Sequence, residues 1–139
     1  MTRITLIVDD SLTIRADLED AFAQAGLPTV ACASVAEARS ALSKQDFGLI
    51  ILDVVLPDGD GVDLLKEIRA TPTGADIPVL MLSSEADVQD RIRGLITGSN
   101  DYVGKPYDQE YIITRARELL GRGVSVQTQA PRTKVSVLL

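Results

Sequence analysis

Leu49-Ile50-Ile51-Leu52-Asp53 is a run of four apolar residues closed by an acid. It neither alternates, as a half-buried strand would, nor repeats with helical period. A short unbroken apolar run fits a strand covered on both faces, the central strand of a parallel sheet with helices above and below. The residue closing such a strand stands at its carboxyl end, where open α/β sheets bind their ligands. Asp53 is therefore the first polar residue to examine.

The chain on either side repeats the same unit. Residues 4–8 read as a strand, followed by a helix through Ile14, Leu18, Phe22 and Ala25 that Gly26 ends ahead of Pro28. Residues 29–32 give a second strand. Ser34-Val35-Ala36-Glu37 has capping-box spacing and opens a helix that runs to about Lys44. Beyond Asp53, a loop with Pro57, Gly59 and Gly61 leads to a helix with Val62, Leu65 and Ile68 on one side, closed near Thr71-Pro72. Residues 79–82 form a fourth strand. Val88, Ile92, Leu95 and Ile96 mark a fourth helix, and Tyr102-Val103 a short fifth strand. Ile112, Ala116, Leu119 and Leu120 mark a fifth helix, capped by Asp108 and stopped at Gly121. Alternation of strand and helix in this way predicts a doubly wound (βα)5 α/β domain with a parallel sheet.

Bulk properties narrow the function. A chain of 139 residues with 45% hydrophobic content suits one domain. Its apolar runs are too short to span a bilayer, and no charged start followed by an apolar stretch marks it for export, so a cytoplasmic location with no membrane partner is expected. The 20 acidic side chains outnumber 14 basic ones. Arg122, Arg132 and Lys134 lie in residues 122–139, which hold no acid, so the body of the domain is more acidic still and nucleic acid is not an expected partner. Histidine is absent, which removes the commonest general base and metal ligand. The single Cys32 excludes an internal disulfide and reads as a buried structural thiol.

At the strand ends the polar residues converge. The first strand ends in Asp9-Asp10, the third in Asp53, the fourth in Ser83-Ser84, and Lys105-Pro106 follows the fifth. Adjacent carboxylates repel, and a hard divalent cation that favours oxygen ligands, Mg2+ above all, relieves the repulsion. Mg2+ keeps positions open for phosphate oxygens and could bridge Asp53 to a phosphoryl group. Lys105 adds a point charge and Ser83 a hydroxyl donor. Asp53 is then placed to act as the nucleophile and form an acyl phosphate.

These residues resemble the receiver domain of bacterial two-component response regulators, over residues 3 to about 121. Asp9 and Asp10 fall on the family's acidic pair, Asp53 on its phosphoacceptor, Ser83 on its switch Ser/Thr, Lys105 on its lysine before Pro106, and Tyr102 on its switch aromatic. Pro57 and Gly61 match the loop after the acceptor. The resemblance implies a CheY-like, flavodoxin-like sandwich with strand order 2-1-3-4-5. It implies that Asp10, Asp53 and the Val55 backbone carbonyl bind Mg2+ directly, with Asp9 acting through water, and that the Lys105-Pro106 bond is cis. The phosphoryl group would come from a phosphohistidine on a sensor histidine kinase or histidine phosphotransfer protein. The domain would catalyse only its own phosphorylation and dephosphorylation, and would signal by remodelling the surface of its fourth helix, fifth strand and fifth helix.

Each residue alone has a plainer reading. Asp9 or Asp10 could cap a helix, Ser83 could be a turn residue, and Tyr102 could be a core aromatic. Their conjunction at compatible strand ends carries the argument. A haloacid-dehalogenase-like phosphatase also uses a strand-end aspartate with Mg2+, but expects a second acid where this chain has Val55. A receiver-shaped module that no longer accepts phosphate is a third reading, and the presence of all five polar residues argues against it. Val55 borders the acceptor and cannot hold a hydrolytic water, which predicts a long-lived phosphoryl group unless Glu85 positions the water instead.

Residues 122–132 have linker composition. Residues 133–139, Thr-Lys-Val-Ser-Val-Leu-Leu, match residues 2–8, Thr-Arg-Ile-Thr-Leu-Ile-Val, class for class. They read as the first strand of a second receiver domain, or else as a β-prone tail of chance composition.

Overall fold

The computed structural model describes residues 3–84 and 88–121, without the side chains of residues 88–90. Glu85, the linker at 122–132 and the strand expected at 133–139 lie outside the described residues. In chain order the elements are β1 (Thr5–Val8), α1 (Leu12–Gln24), β2 (Thr29–Cys32), α2 (Val35–Lys44), β3 (Leu49–Asp53), β4 (Val55–Leu56), β5 (Gly59–Asp60), α3 (Gly61–Arg69), β6 (Val79–Ser83), α4 (Val88–Thr97), β7 (Asp101–Gly104) and α5 (Gln109–Gly121).

The unbroken apolar run behaves as its composition requires. Leu49, Ile50, Ile51 and Leu52 are all fully buried, yet alternate residues face opposite layers. Ile50 and Leu52 join Leu6, Val8, Val79 and Met81 beneath α2 and α3, with Ala38, Leu64, Leu65 and Ile68. Leu49 and Ile51 join Ile7, Leu80 and Leu82 beneath α1 and α5, with Leu18, Phe22, Ile112, Ala116 and Leu119. Burial of each large aliphatic side chain is worth about 1.5–3 kcal/mol, so this central strand anchors both halves of the core. The main sheet has five strands in the order β2-β1-β3-β6-β7, and every pairing in it is parallel. With the two short strands β4 and β5 set aside, this is the order 2-1-3-4-5.

That antiparallel pair, β4 with β5, is an element the five-unit reading lacked. It folds the loop after Asp53 into a hairpin tied down on both sides. Asp58 accepts from the Val35 and Ala36 N–H groups at 2.8 and 3.0 Å, capping α2 from outside it. Asp60 caps α3 through the Val62 N–H at 2.7 Å and pairs with Arg93 of α4 at 3.0 Å. The capping box of α2 also forms, in a shifted version. The Ser34 hydroxyl accepts from the Glu37 N–H, while Glu37 accepts from Ala33, one residue upstream of the cap. Helix α1 ends where expected, with Gly26 at φ 77° and the Leu27 N–H returning to the Phe22 carbonyl.

Helix α4 forms where its apolar spacing marks it, with that spacing turned outward. Ile92, Leu95 and Ile96 point outward, at 49%, 48% and 80% exposure, instead of into the core. Among the described side chains of α4, Gly94 is the buried position, and it faces the sheet. A Cβ there would stand 3.5 Å from Met81 Sδ, Ser99 Oγ and the Tyr102 ring, ordinary contact distances that put the helix backbone directly over the aromatic.

Arg69, at the end of α3, locks this edge of the fold. It donates to the carbonyls of Gly98, Gly74 and Ile77 at 2.7–3.1 Å and to Asn100 Oδ1 at 3.2 Å. Arg69→Leu strips these acceptors of their donor and is expected to lower stability by about 2 kcal/mol, read from the urea unfolding midpoint.

Candidate functional site

The backbone delivers the polar residues to one rim. Asp9 continues β1, its N–H reaching the Cys32 carbonyl at 3.1 Å, and it is fully buried. Its Oδ1 accepts from the Ser11 N–H at 2.9 Å, and its main-chain carbonyl accepts from Arg15 Nη1 at 2.9 Å. Ser11, not Asp9 or Asp10, caps α1. Asp10 is exposed. Asp53 closes β3 at 4% exposure, and its Oδ1 takes a long 3.4 Å bond from the Val55 N–H. Carboxylate oxygens of Asp9, Asp10 and Asp53 all lie within 4.8 Å of one another.

Lys105 enters from the end of β7. Its Nζ stands 2.7 Å from Asp9 Oδ2 and 3.3 Å from Asp53 Oδ2, and the Lys105-Pro106 bond is cis. Its N–H donates to the Ser83 carbonyl at 2.7 Å, which fixes the loop against the end of β6, and Ser83 itself is buried. Burial, then the charge of Asp9, push the Asp53 carboxyl above the ordinary aspartate range, with Lys105 pulling the other way. For Lys105, burial opposes the charged form, but the bonds to Asp9 and Asp53 outweigh it and hold the amine protonated.

Asp9, Asp10, Asp53 and Lys105 thus meet as expected, and Ser83 adjoins them through the backbone. Tyr102 is not part of the cluster. It lies buried in β7 with its ring toward Met81 and Gly94, and its hydroxyl has no hydrogen-bond partner among the described residues. The donor set fits a hard cation. It is all oxygen, one acid is fully buried and one exposed, and an ionised Asp53 stands disfavoured until positive charge arrives.

Asp58 and Asp17 escaped the sequence reading, and Gly61 did so in part. Gly61 was matched to the loop, but its role is steric. An added Cβ would sit 2.0 Å from the Asp53 carbonyl oxygen, so only glycine lets α3 begin against the Asp53 backbone. Asp58 was legible only as part of the Pro57-Asp58-Gly59 turn signal. Asp17, on α1, accepts from the Tyr107 phenol and from Gln109, a contact between residues far apart in sequence with no local signature.

A five-stranded doubly wound sheet with an acidic rim and a lysine at the adjoining strand end defines a CheY-like signalling domain. The chain belongs to the response regulator receiver domain family, whose model matches residues 5–117. Receiver domains accept a phosphoryl group in two-component signal transduction, and that is the general function of this domain. It is 38% identical over 127 residues to the transcriptional regulatory protein GltR of Pseudomonas aeruginosa, covering 91% of this chain and 52% of that protein. It is also 38% identical over 117 residues to the probable transcriptional regulator ycf27 of Cyanophora paradoxa, covering 84% and 48%. The chain spans about half the length of these curated relatives. Among solved structures it resembles a putative response regulator from Chloroflexus aurantiacus, with TM-score 0.82 and 34% identity over 88% of this chain and all of that one. It likewise resembles the receiver domain of a sensor histidine kinase of Pseudomonas aeruginosa, solved with a magnesium ion coordinated in its active-site cleft, with TM-score 0.79 and 26% identity over 87% and 99%. Among the described residues no helix is long and apolar enough to cross a membrane.

Proposed function

We propose that Asp53 is the phosphoacceptor, and the observation that carries this is its burial at the end of β3 within reach of two acids and one ammonium. One Asp53 oxygen attacks phosphorus, and the bond from phosphorus to the donor breaks with its electron pair leaving on the donor. A phosphohistidine of a sensor histidine kinase or phosphotransfer protein supplies the group in the cell. Asp10, Asp53 and the Val55 carbonyl would hold Mg2+, with Asp9 contributing less directly, and the ion would supply positive charge to the phosphoryl oxygens. Lys105 and Ser83 supply the protein's own positive charge and hydroxyl donor. The domain turns over nothing but its own phosphoryl group. Incubation with Mg2+ and acetyl phosphate is expected to add the mass of one phosphoryl group. No gain, or a gain that survives Asp53→Asn, overturns the assignment.

Three further readings go with it. Ser83 and Tyr102 act as the switch, and the apolar side chains left outside by α4, Ile92, Leu95 and Ile96, together with Tyr111 of α5, give the α4–β7–α5 surface something to recognise a partner with. Residues 122–132 are a linker to a further domain. The match of 133–139 to 2–8 favours a second receiver over another output domain, and coding sequence after Leu139 without an early acidic pair would contradict that choice.

Val55 is 61% exposed beside the acceptor and offers water no hydrogen bond. Val55→Asn is expected to speed loss of the phosphoryl group several-fold, measured as the decay of phosphorylated protein after donor removal. An equal or slower decay would contradict the role given to this side chain.

A further inference from the structure

The loop that carries Lys105 is fastened from two directions. On one side the Lys105 N–H bonds to the Ser83 carbonyl. On the other, the Tyr107 phenol donates to Asp17 Oδ2 on α1, and Gln109 Nε2 donates to Oδ1 of the same carboxylate at 2.7 Å. Pro106, between the two fastenings, has no N–H to contribute. Helix α1 also holds the opposite side of the site, because Ser11 and Arg15 bond to Asp9. A single helix therefore grips both partners of the Lys105–Asp9 ion pair. The Tyr107 ring packs against the apolar cluster under α1 and α5, and burial together with Asp17 pushes its phenol pKa upward, so the hydroxyl remains a donor.

We propose that Asp17 and Tyr107 are positioning residues that brace the β7–α5 loop and hold the Lys105 ammonium between Asp9 and Asp53. The inference rests on the phosphoacceptor reading. Lys105 touches Asp9 Oδ2 and Asp53 Oδ2, which belong to the same carboxylates that would face a divalent cation. Ammonium and cation compete for those carboxylates in the resting domain, then act together once a phosphoryl group is present. Loosening the brace consequently pushes two measurable quantities in opposite directions. Cation binding tightens because its competitor is no longer fixed. Phosphoryl uptake slows because the positive charge aimed at the phosphoryl oxygens has lost its place. A variant that merely loosens the fold weakens both.

Tyr107→Phe keeps the packed ring and removes the hydroxyl. Its phosphorylation by acetyl phosphate is expected to fall about tenfold at saturating Mg2+. Its Mg2+ affinity, measured by calorimetry without any phosphoryl donor, is expected to rise about threefold, because the loosened ammonium competes less well for Asp9 and Asp53 without being removed. Asp17→Ala removes the other half of the brace and is read in the same way, so the test survives if one variant does not fold. Support requires both changes. An unchanged rate, or an affinity that is unchanged or weaker, overturns the proposal. Wild-type protein that takes no phosphoryl group overturns instead the assignment of Asp53.

Discussion

Asp53→Asn is expected to abolish phosphorylation by acetyl phosphate while raising the thermal midpoint of the domain by a few degrees at pH 7. The first effect follows from the loss of the nucleophilic oxygen. The second follows from the environment that makes the oxygen useful. Asp53 is buried beside Asp9, and its folded-state pKa lies above the ordinary value. Ionising it is thus harder in the folded chain than in the unfolded one. That penalty is fully present above the folded pKa and disappears as pH falls below the unfolded value of about 3.9. The stabilisation of Asp53→Asn over wild type should accordingly be largest near neutral pH, shrink as pH falls through the raised pKa, and vanish below about pH 4. Mg2+ should raise the wild-type midpoint at pH 7 and do less for the variant, since a ligand stabilises the state it binds. Calorimetric scans across pH, with and without Mg2+, measure each part. A variant less stable than wild type at pH 7 would show that the Lys105 contact outweighs burial and Asp9.

Gly61→Ala is expected to cost more than about 3 kcal/mol, at the upper end for overpacking, because nothing nearby can yield. The added carbon would meet the Asp53 carbonyl oxygen at 2.0 Å and the Val54 Cα at 3.1 Å, both backbone atoms of the acceptor strand's end. The Gly61 N–H is also bonded to the Val54 carbonyl at 2.6 Å, so α3 cannot back away without breaking that bond. Either adjustment moves Asp53, and the phosphorylation rate should fall by about tenfold or more in whatever protein folds. Urea unfolding reads the stability and mass spectrometry the uptake. Gly104→Ala is the control, since a Cβ there meets nothing within 4 Å.

The sheet and the acid cluster were legible because each depends on a local pattern. The run at 49–52 has no alternation because both faces of β3 are covered, and each strand's end is marked in sequence by a switch from apolar to polar residues. The orientation of α4 was not legible. Its apolar spacing is real, but Gly94 packs on Tyr102 while Ile92 and Leu95 are about half exposed, and hydrophobic periodicity cannot distinguish a stripe meant for the core from one left for a partner. The hairpin β4–β5 was hidden by its two-residue strands. The bond between Asp17 and Tyr107 joins α1 to the segment after β7, and its partners carry no spacing rule.

The hairpin after Asp53 is stitched to α2 through Asp58 and to α4 through Asp60. A free loop in this position would lose conformational entropy, about 1–2 kcal/mol for each residue fixed, on holding the Val55 carbonyl, the ligand proposed above, still for an incoming ion. Here that ordering is completed when the chain folds, and the neighbouring helices bear it. The loop therefore arrives at the encounter already immobilised, so more of the attraction between the acids and a cation remains available as affinity.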